Sequence, residues 1–160
     1  MAVFKFLSIM SLFISVNIFA GTINIEDDLK GLIKLSQTPI ATPGHGDAPS
    51  NIYINQTGIP TFKRFSDKKS YPVGTVIVAA ELSFKNKLLT EASSIRMMKK
   101  QKPGFNPAAG DWEFLISRFD LKKKNQSVVF KGKLEKCISC HISKIKTDLI
   151  SSDKIINKVH

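Results

Sequence analysis

The sequence lacks a second pair of cysteines, long apolar segments beyond its N-terminus, and an even balance of charge. Its two cysteines, among 160 residues, cannot complete a four-cysteine zinc site. No segment after residue 20 is apolar enough to cross a membrane. The 13 Asp and Glu are outnumbered by 24 Lys and Arg, giving a formal net charge of +11. A protein with this excess of positive charge could attract nucleic acid, anionic lipid or an acidic redox partner.

The N-terminus predicts export. Lys5 precedes an apolar run over residues 6–16, and Ala20-Gly21 offers small residues where a signal peptide would be cut. Residues 1–20 are therefore interpreted as a signal peptide and residues 21–160 as one periplasmic domain. The alternative is a retained membrane anchor, but the run is shorter than the roughly 20 residues of a spanning helix. Export makes nucleic acid the weakest partner class, so we read the charge as a docking bias.

Local patterns predict an α+β domain that is mainly an antiparallel β-sheet between two helices. An amphipathic N-terminal helix is expected over residues 21–37, where apolar positions recur at helical spacing. A loop rich in proline and glycine follows over residues 38–49. Runs of β-branched and alternating residues then predict the strands. The expected strands cover residues 51–55, 75–84, 94–99, 112–119 and 128–130, and a C-terminal helix is expected over 137–150.

Both cysteines lie in one motif, Cys137-Ile138-Ser139-Cys140-His141. This is the C-x-x-C-H sequence of c-type haem attachment. On one helical turn, the two thiols can bond the two vinyl groups at one porphyrin edge, and His141 can ligate the iron. An exported disulfide and a redox-active dithiol remain alternatives. The motif thus predicts one covalent haem c on Cys137 and Cys140, with His141 as the metal ligand.

Around this motif the chain resembles the cytochrome P-460 family, whose close relatives include the cytochrome c′-beta proteins. The resemblance implies a mostly antiparallel domain, often a homodimer, whose single haem has five-coordinate iron. Members oxidise hydroxylamine or bind nitric oxide and related small ligands. The matching segments occur in the family's order at residues 45–47, 52–55, 71–78, 102–107, 110–114 and 137–141.

Two positions depart from the hydroxylamine-oxidising branch. That branch crosslinks a lysine to the porphyrin, and the matching position here is Ala79, which has no amine. It also places a carboxylate over the iron, and Arg96 aligns near that position. The resemblance therefore implies a cytochrome that binds nitric oxide or a similar small ligand at an open iron. A hydroxylamine-oxidising enzyme and a simple electron carrier are the rival interpretations.

The distal side of the iron is the least determined part of the site. Arg96 would share a strand face with Met98 and could donate hydrogen bonds to a bound anion, unless it faces solvent. Met97 or Met98 as a sixth ligand would favour electron transfer, and His45 is a further possible ligand. The candidates for apolar pocket walls, each also a candidate for ordinary core, are Phe62, Phe65, Phe84 and Phe105.

Overall fold

A six-stranded antiparallel sheet in sequential order forms the body of the molecule. The computed structural model describes residues 29–45, 49–64, 70–85, 88–120 and 125–150. The expectation of a mainly antiparallel sheet is confirmed, and every predicted strand is present. The strands are β1 (Ile33–Lys34), β2 (Ser50–Ile54), β3 (Val76–Lys85), β4 (Leu88–Lys100), β5 (Trp112–Asp120) and β6 (Asn125–Gly132).

The strand register gives each face of the sheet its own set of residues. Ala79 lies opposite Ile52 on one side and Arg96 on the other, and Arg96 in turn lies opposite Ile116. The next row of the same face runs through residues 54, 77, 98 and 114. Because side chains alternate along a strand, the intervening residues point to the other face.

The other face carries a filled core. Its buried members are Val76, Val78, Ile95, Met97 and Leu115, and partly buried Leu29 and Leu32 pack against them. β-branched and long apolar side chains suit such a pleated, buried surface. Burial of each contributes roughly 1.5–3 kcal/mol.

The described helices are short. α1 spans Ile59–Lys63, and α2 spans Glu135–His141. A 3-10 turn covers Pro107–Ala109, and α2 continues as a 3-10 helix over Ile142–Thr147. No helix in the described ranges combines the length and apolar character needed to cross a membrane.

The predicted C-terminal helix over residues 137–150 is shorter than expected. Helical backbone is already interrupted at Lys144, and Asp148 and Leu149 adopt positive φ values of 52° and 65°. The reversal buries Leu149 completely, in a cluster with Trp112, Tyr71 and other residues of the sheet. Tertiary burial thus overrides the helical spacing of residues 145 and 149.

The predicted helix over residues 21–37 is wrong for the part that the structure describes. Residues 29–31 form a turn, and β1 follows, with Ile33 opposite Ile54. The Leu35 amide donates to the Ile52 carbonyl at 2.8 Å. Leu32 packs on one face of the sheet and Leu35 against the clusters of the other, so this segment passes along the sheet edge. Residues 21–28, like the predicted signal peptide, lie outside the described residues.

Candidate functional site

A cavity of about 580 Å³ lies between one face of the sheet and the C-terminal segment that carries both cysteines. Its volume is in the range of cofactor and ligand sites. One wall is the sheet and a second is α2 with the turn after it. The loop after Ile40 forms a third wall. The lining includes Ile40, Thr42, Pro43, Gly44, His45, Ile52, Ile77, Ala79, Arg96, Met98, Phe114, Ile116, Lys136, Cys137, Cys140, His141, Ser143, Lys144 and Ile150.

The sheet wall is apolar except at one position. Ile77, Met98 and Phe114 form one row, and Ala79 lies in the next row beside Arg96. Ala79 contributes only a methyl group at the centre of this wall. The small side chain leaves space that a valine or leucine would fill.

α2 brings the two cysteines to the cavity. Cys137 is half-buried, Cys140 is exposed, and neither is in a disulfide. Leu134 and Ile138 anchor this helix, because they pack with Cys137 against the core cluster around Trp112. Burial raises the pKa of the Cys137 thiol, and the positive charge of Arg96 partly opposes that rise.

His141 follows the second cysteine, and one of its ring nitrogens is already engaged. Nδ1 lies 2.8 Å from the carbonyl oxygen of Leu149. A carbonyl only accepts hydrogen bonds, so Nδ1 carries the proton and Nε2 keeps its lone pair. The Phe114 ring meets the imidazole edge-on, with 5.8 Å between ring centroids. This is the arrangement in which histidine ligates a metal through Nε2.

His45 lies next to His141, a contact that sequence reasoning did not anticipate. The two ring centroids are 5.8 Å apart with an interplanar angle of 23°. Paired backbone hydrogen bonds between Ile40 and Ser50 fix the base of the His45 loop, and Gly44 turns the chain with a φ of 81°. Burial, then the nearby charges of His141 and Arg96, lower the pKa of His45 to about 4. The ring is therefore neutral at pH 7.

Arg96 lies on the cavity face with Met98, as the strand pattern predicts, and not in open solvent. Its Nη1 donates to Oε2 of Glu81 at 2.6 Å and to Oγ of Ser94 at 3.3 Å. The side chains of Arg96 and Glu81 are only 24% and 15% exposed. Sequence reasoning missed Glu81, whose nearness to Arg96 follows from the β3–β4 register.

Two of the four phenylalanine candidates for the pocket wall do not line the cavity. Phe62 packs against the core clusters, and Phe105 lies beneath the Lys133 ammonium, 5.3 Å from ring centroid to nitrogen. Neither lines the cavity, whereas Phe114 does. Phe65 and the side chain of Phe84 lie outside the described residues. Both methionines border the cavity, but Met98 belongs to the strand row that faces it, whereas the Met97 side chain packs in the core of the other face.

These residues fit a haem. The two thiols are free, and the proton on His141 Nδ1 leaves Nε2 available for iron. The cavity wall is mostly apolar, as a porphyrin requires. In addition, the buried Nδ1 of His45 has no hydrogen-bond partner within the described part of the chain. An unpaired polar atom at such a site fits a bound group with polar edges.

Comparison with known proteins gives a match over most of the chain. A family model described as Cytochrome P460 matches residues 32–152. The matched region begins at β1 and extends past the C-terminal turn, so it contains the whole cavity. A search of curated proteins finds no match.

Proposed function

Because the chain belongs to the cytochrome P460 family, and is thus a c-type haem protein, we propose that it is an exported mono-haem cytochrome that binds nitric oxide or a similar small ligand. Cys137 and Cys140 hold the haem through two thioether bonds. His141 would ligate the haem iron through Nε2, and the iron would supply a binding position for the small ligand.

The observation that carries the proposal is the convergence of Cys137, Cys140 and His141 on one mostly apolar cavity. The contact between His141 and the Leu149 carbonyl supports the assignment of Nε2 to the iron. A bound haem would supply an iron with one coordination position for a small ligand. The sheet wall beside such a haem is apolar except at Arg96.

The sheet wall also favours ligand binding over hydroxylamine oxidation. Ala79 lies on the cavity face, at the position where the oxidising branch carries its crosslinking lysine. The lysines that line the cavity, Lys136 and Lys144, belong to the haem-attachment segment and not to β3. A porphyrin crosslink from the sheet therefore has no amine among the described cavity residues.

A second candidate is electron transfer, favoured by charge. Lys136 and Lys144 lie at the rim of the cavity, and both are exposed. Lys133 and Lys146 are exposed on the same segment. This basic rim surrounds the place where a haem edge would lie, and an acidic redox partner would be attracted to it.

Optical spectra of the holoprotein test the proposal. The ferrous protein should be high-spin and should take up both carbon monoxide and nitric oxide. A low-spin spectrum that ignores carbon monoxide would instead identify an electron carrier. A reduced Soret band at unusually long wavelength would indicate a porphyrin crosslink and an enzyme.

The attachment is tested by mass. Wild-type protein from a host that matures c-type cytochromes should exceed the polypeptide mass by one haem. Cys137→Ser with Cys140→Ser should lose that mass on denaturation. Ser139→Ala, which changes a residue between the two cysteines, is the matched control and should retain the haem. A disulfide between the cysteines in the wild type, with no haem, would refute the assignment.

A further inference from the structure

Asp148 is the centre of a buried polar cluster beneath the haem-attachment segment. Its carboxylate accepts from Lys100 Nζ at 2.7 Å to each oxygen, from the Tyr71 amide at 2.7 Å and from Ser70 Oγ at 3.0 Å. Trp112 Nε1 donates to the carboxylate at 3.2 Å and to the Asp148 carbonyl at 3.0 Å. The Asp148 and Lys100 side chains are 9% and 8% exposed. These partners come from the start of β5, the end of β4 and the turn before β3.

The surrounding backbone is shaped to accept this carboxylate. A Cβ at Gly110 would lie 2.8 Å from Asp148 Oδ1, so the glycine leaves the space that the carboxylate occupies. Asp148 and Leu149 are consecutive residues with positive φ, a conformation that residues other than glycine rarely adopt. Such backbone persists only where the surrounding contacts hold it in place.

The consequence of this backbone is the direction of one carbonyl group. Leu149 is fully buried, and its amide donates to the Lys144 carbonyl at 2.9 Å. Its own carbonyl then points back along the chain to His141 Nδ1. The cluster around Asp148 is therefore connected to the imidazole through one residue, Leu149.

We propose that Asp148 is a positioning residue for the proximal ligand: by fixing the Asp148–Leu149 turn to the sheet, it holds the Leu149 carbonyl on His141 Nδ1. The inference rests on the proposed role of His141 as iron ligand. A hydrogen bond to Nδ1–H orients the ring and makes Nε2 a stronger donor to the metal. Asp148 thus influences the iron without touching it.

The rival explanation is that Asp148 merely fastens the C-terminal segment to the sheet. Asp111 offers a matched control, because it is also an aspartate with positive φ, at 60°. Its Oδ1 accepts from the amides of Gly104 and Asn106, at 3.1 and 2.9 Å, and so organises a loop. Neither of these contacts leads to His141.

The experiment compares Asp148→Ala, Asp148→Asn and Asp111→Ala as holoproteins. The readouts are the iron–histidine stretching frequency of the ferrous protein and the reduction potential. Asp148→Ala should lower the frequency and raise the potential, because a weaker Nδ1 hydrogen bond makes Nε2 a poorer donor. Asp148→Asn keeps an acceptor and should restore part of both values. Asp111→Ala should change neither, although it destabilises the fold.

The outcomes separate the two explanations. An Asp148→Ala protein that is destabilised but keeps the wild-type frequency and potential would overturn the proposal. If that variant yields no holoprotein, Asp148→Asn and Lys100→Met are read in its place, and wild-type values in both would likewise overturn it. A wild-type protein whose mass shows no attached haem would refute the proposed function instead.

Discussion

The two faces of the sheet use alternate residues of the same strands, and both carry packed clusters. Only the cavity face also leaves a large space, beside the cluster around Trp112, and the opposite face is called the filled face. On the filled face, Val76, Val78, Met97 and Leu115 are each about 1% exposed and contact one another. On the cavity face, the corresponding positions surround about 580 Å³ of space. Protein interiors are close-packed, and voids larger than a water molecule are few. A space of this size on the cavity face fits an additional bound group.

The difference shows where stability and function are encoded along a single strand. Within β4, Met97 completes the core of the filled face, while the residues on either side, Arg96 and Met98, line the cavity. Substitutions on the filled face should change the free energy of unfolding. Substitutions on the cavity face should change haem and ligand binding more than stability.

Met97 and Met98 allow the most direct test of this contrast. Met97→Ala should lower the free energy of unfolding by about 2–5 kcal/mol, because truncation leaves a void in a closed core. Met98→Ala should cost less, since it enlarges an existing cavity. Urea unfolding of the two holoproteins, followed by circular dichroism, measures both values. Equal losses would mean that the two faces are packed alike.

The Met97→Ala and Met98→Ala variants also test whether a methionine is the sixth ligand of the haem iron. With an open iron, both variants should keep the high-spin spectrum of the wild type. A change from low-spin to high-spin iron in Met98→Ala alone would identify Met98 as a ligand and would favour electron transfer.

Arg96 is the charged residue of the sheet that lines the cavity. Arg96→Leu should weaken cyanide binding to the ferric protein, because a charged hydrogen bond of about 1.5–3 kcal/mol is lost. That loss corresponds to a rise in Kd of roughly 10- to 150-fold. Carbon monoxide affinity should change far less, since that ligand carries no charge. Equilibrium titrations measure both ligands.

The control is Arg64→Leu, which removes an exposed arginine at the end of α1. It should leave cyanide affinity unchanged. Glu81→Gln removes the charge that pairs with Arg96 and should strengthen cyanide binding. If Arg96→Leu leaves cyanide affinity at the wild-type value, Arg96 does not reach the ligand.

The strands were predictable because their signals are local. Alternation and β-branched residues in residues 75–84 and 112–119 identify β3 and β5 without reference to the rest of the chain. The two errors involve residues whose partners are distant. Leu29, Leu32 and Leu35 recur at helical spacing, yet they divide between the two faces of a sheet edge. After the C-terminal helix, the chain reverses at Asp148 and Leu149, and the partner of Asp148, Lys100, is 48 positions away.

The attachment motif was predictable for a similar reason, since Cys137, Cys140 and His141 are adjacent in sequence. That they hold a haem stays a prediction until the mass is measured. The rest of the cavity depends on register and loop placement. Glu81 meets Arg96 only because Ala79 pairs with Arg96, and His45 reaches His141 only because the Ile40–Ser50 bridge folds its loop inward.

Leucine substitutions at Ala79 and Ala80 compare the two faces of the sheet at neighbouring positions of β3. Both are buried, but Ala79 lines the cavity and Ala80 lies on the other face. Ala80→Leu should cost about 1–3 kcal/mol of stability, as overpacking does in a closed core. Ala79→Leu should cost less stability but should lower haem incorporation or the carbon monoxide affinity, because its side chain takes cavity space. Unfolding curves and the haem-to-protein absorbance ratio measure the two effects, and a reversed pattern would contradict the assignment of the faces.

The smallest expected effect is a pH-dependent change in stability in Tyr71→Phe, for which Tyr53→Phe is the control. The Tyr71 hydroxyl is buried without a hydrogen-bond partner in the described ranges, and burial, then the charge of Asp148, raises its pKa. In the unfolded chain, tyrosine loses its proton near pH 10. Above that pH the unfolded state is deprotonated first, so stability falls as pH rises.

Tyr71→Phe should therefore be within about 1 kcal/mol of wild type at pH 7, where it removes only an unpaired hydroxyl. Urea unfolding should be measured from about pH 9 to about pH 11, a range that spans the pKa of tyrosine in the unfolded chain. Over that range, the free energy of unfolding of Tyr71→Phe should fall less than that of the wild type. Tyr53→Phe is the control, because it removes a hydroxyl from a half-buried ring beside the core of the other face. If Tyr71→Phe and wild type lose stability in parallel, the Tyr71 hydroxyl is not protected from ionisation, and the cluster around Asp148 is open to solvent.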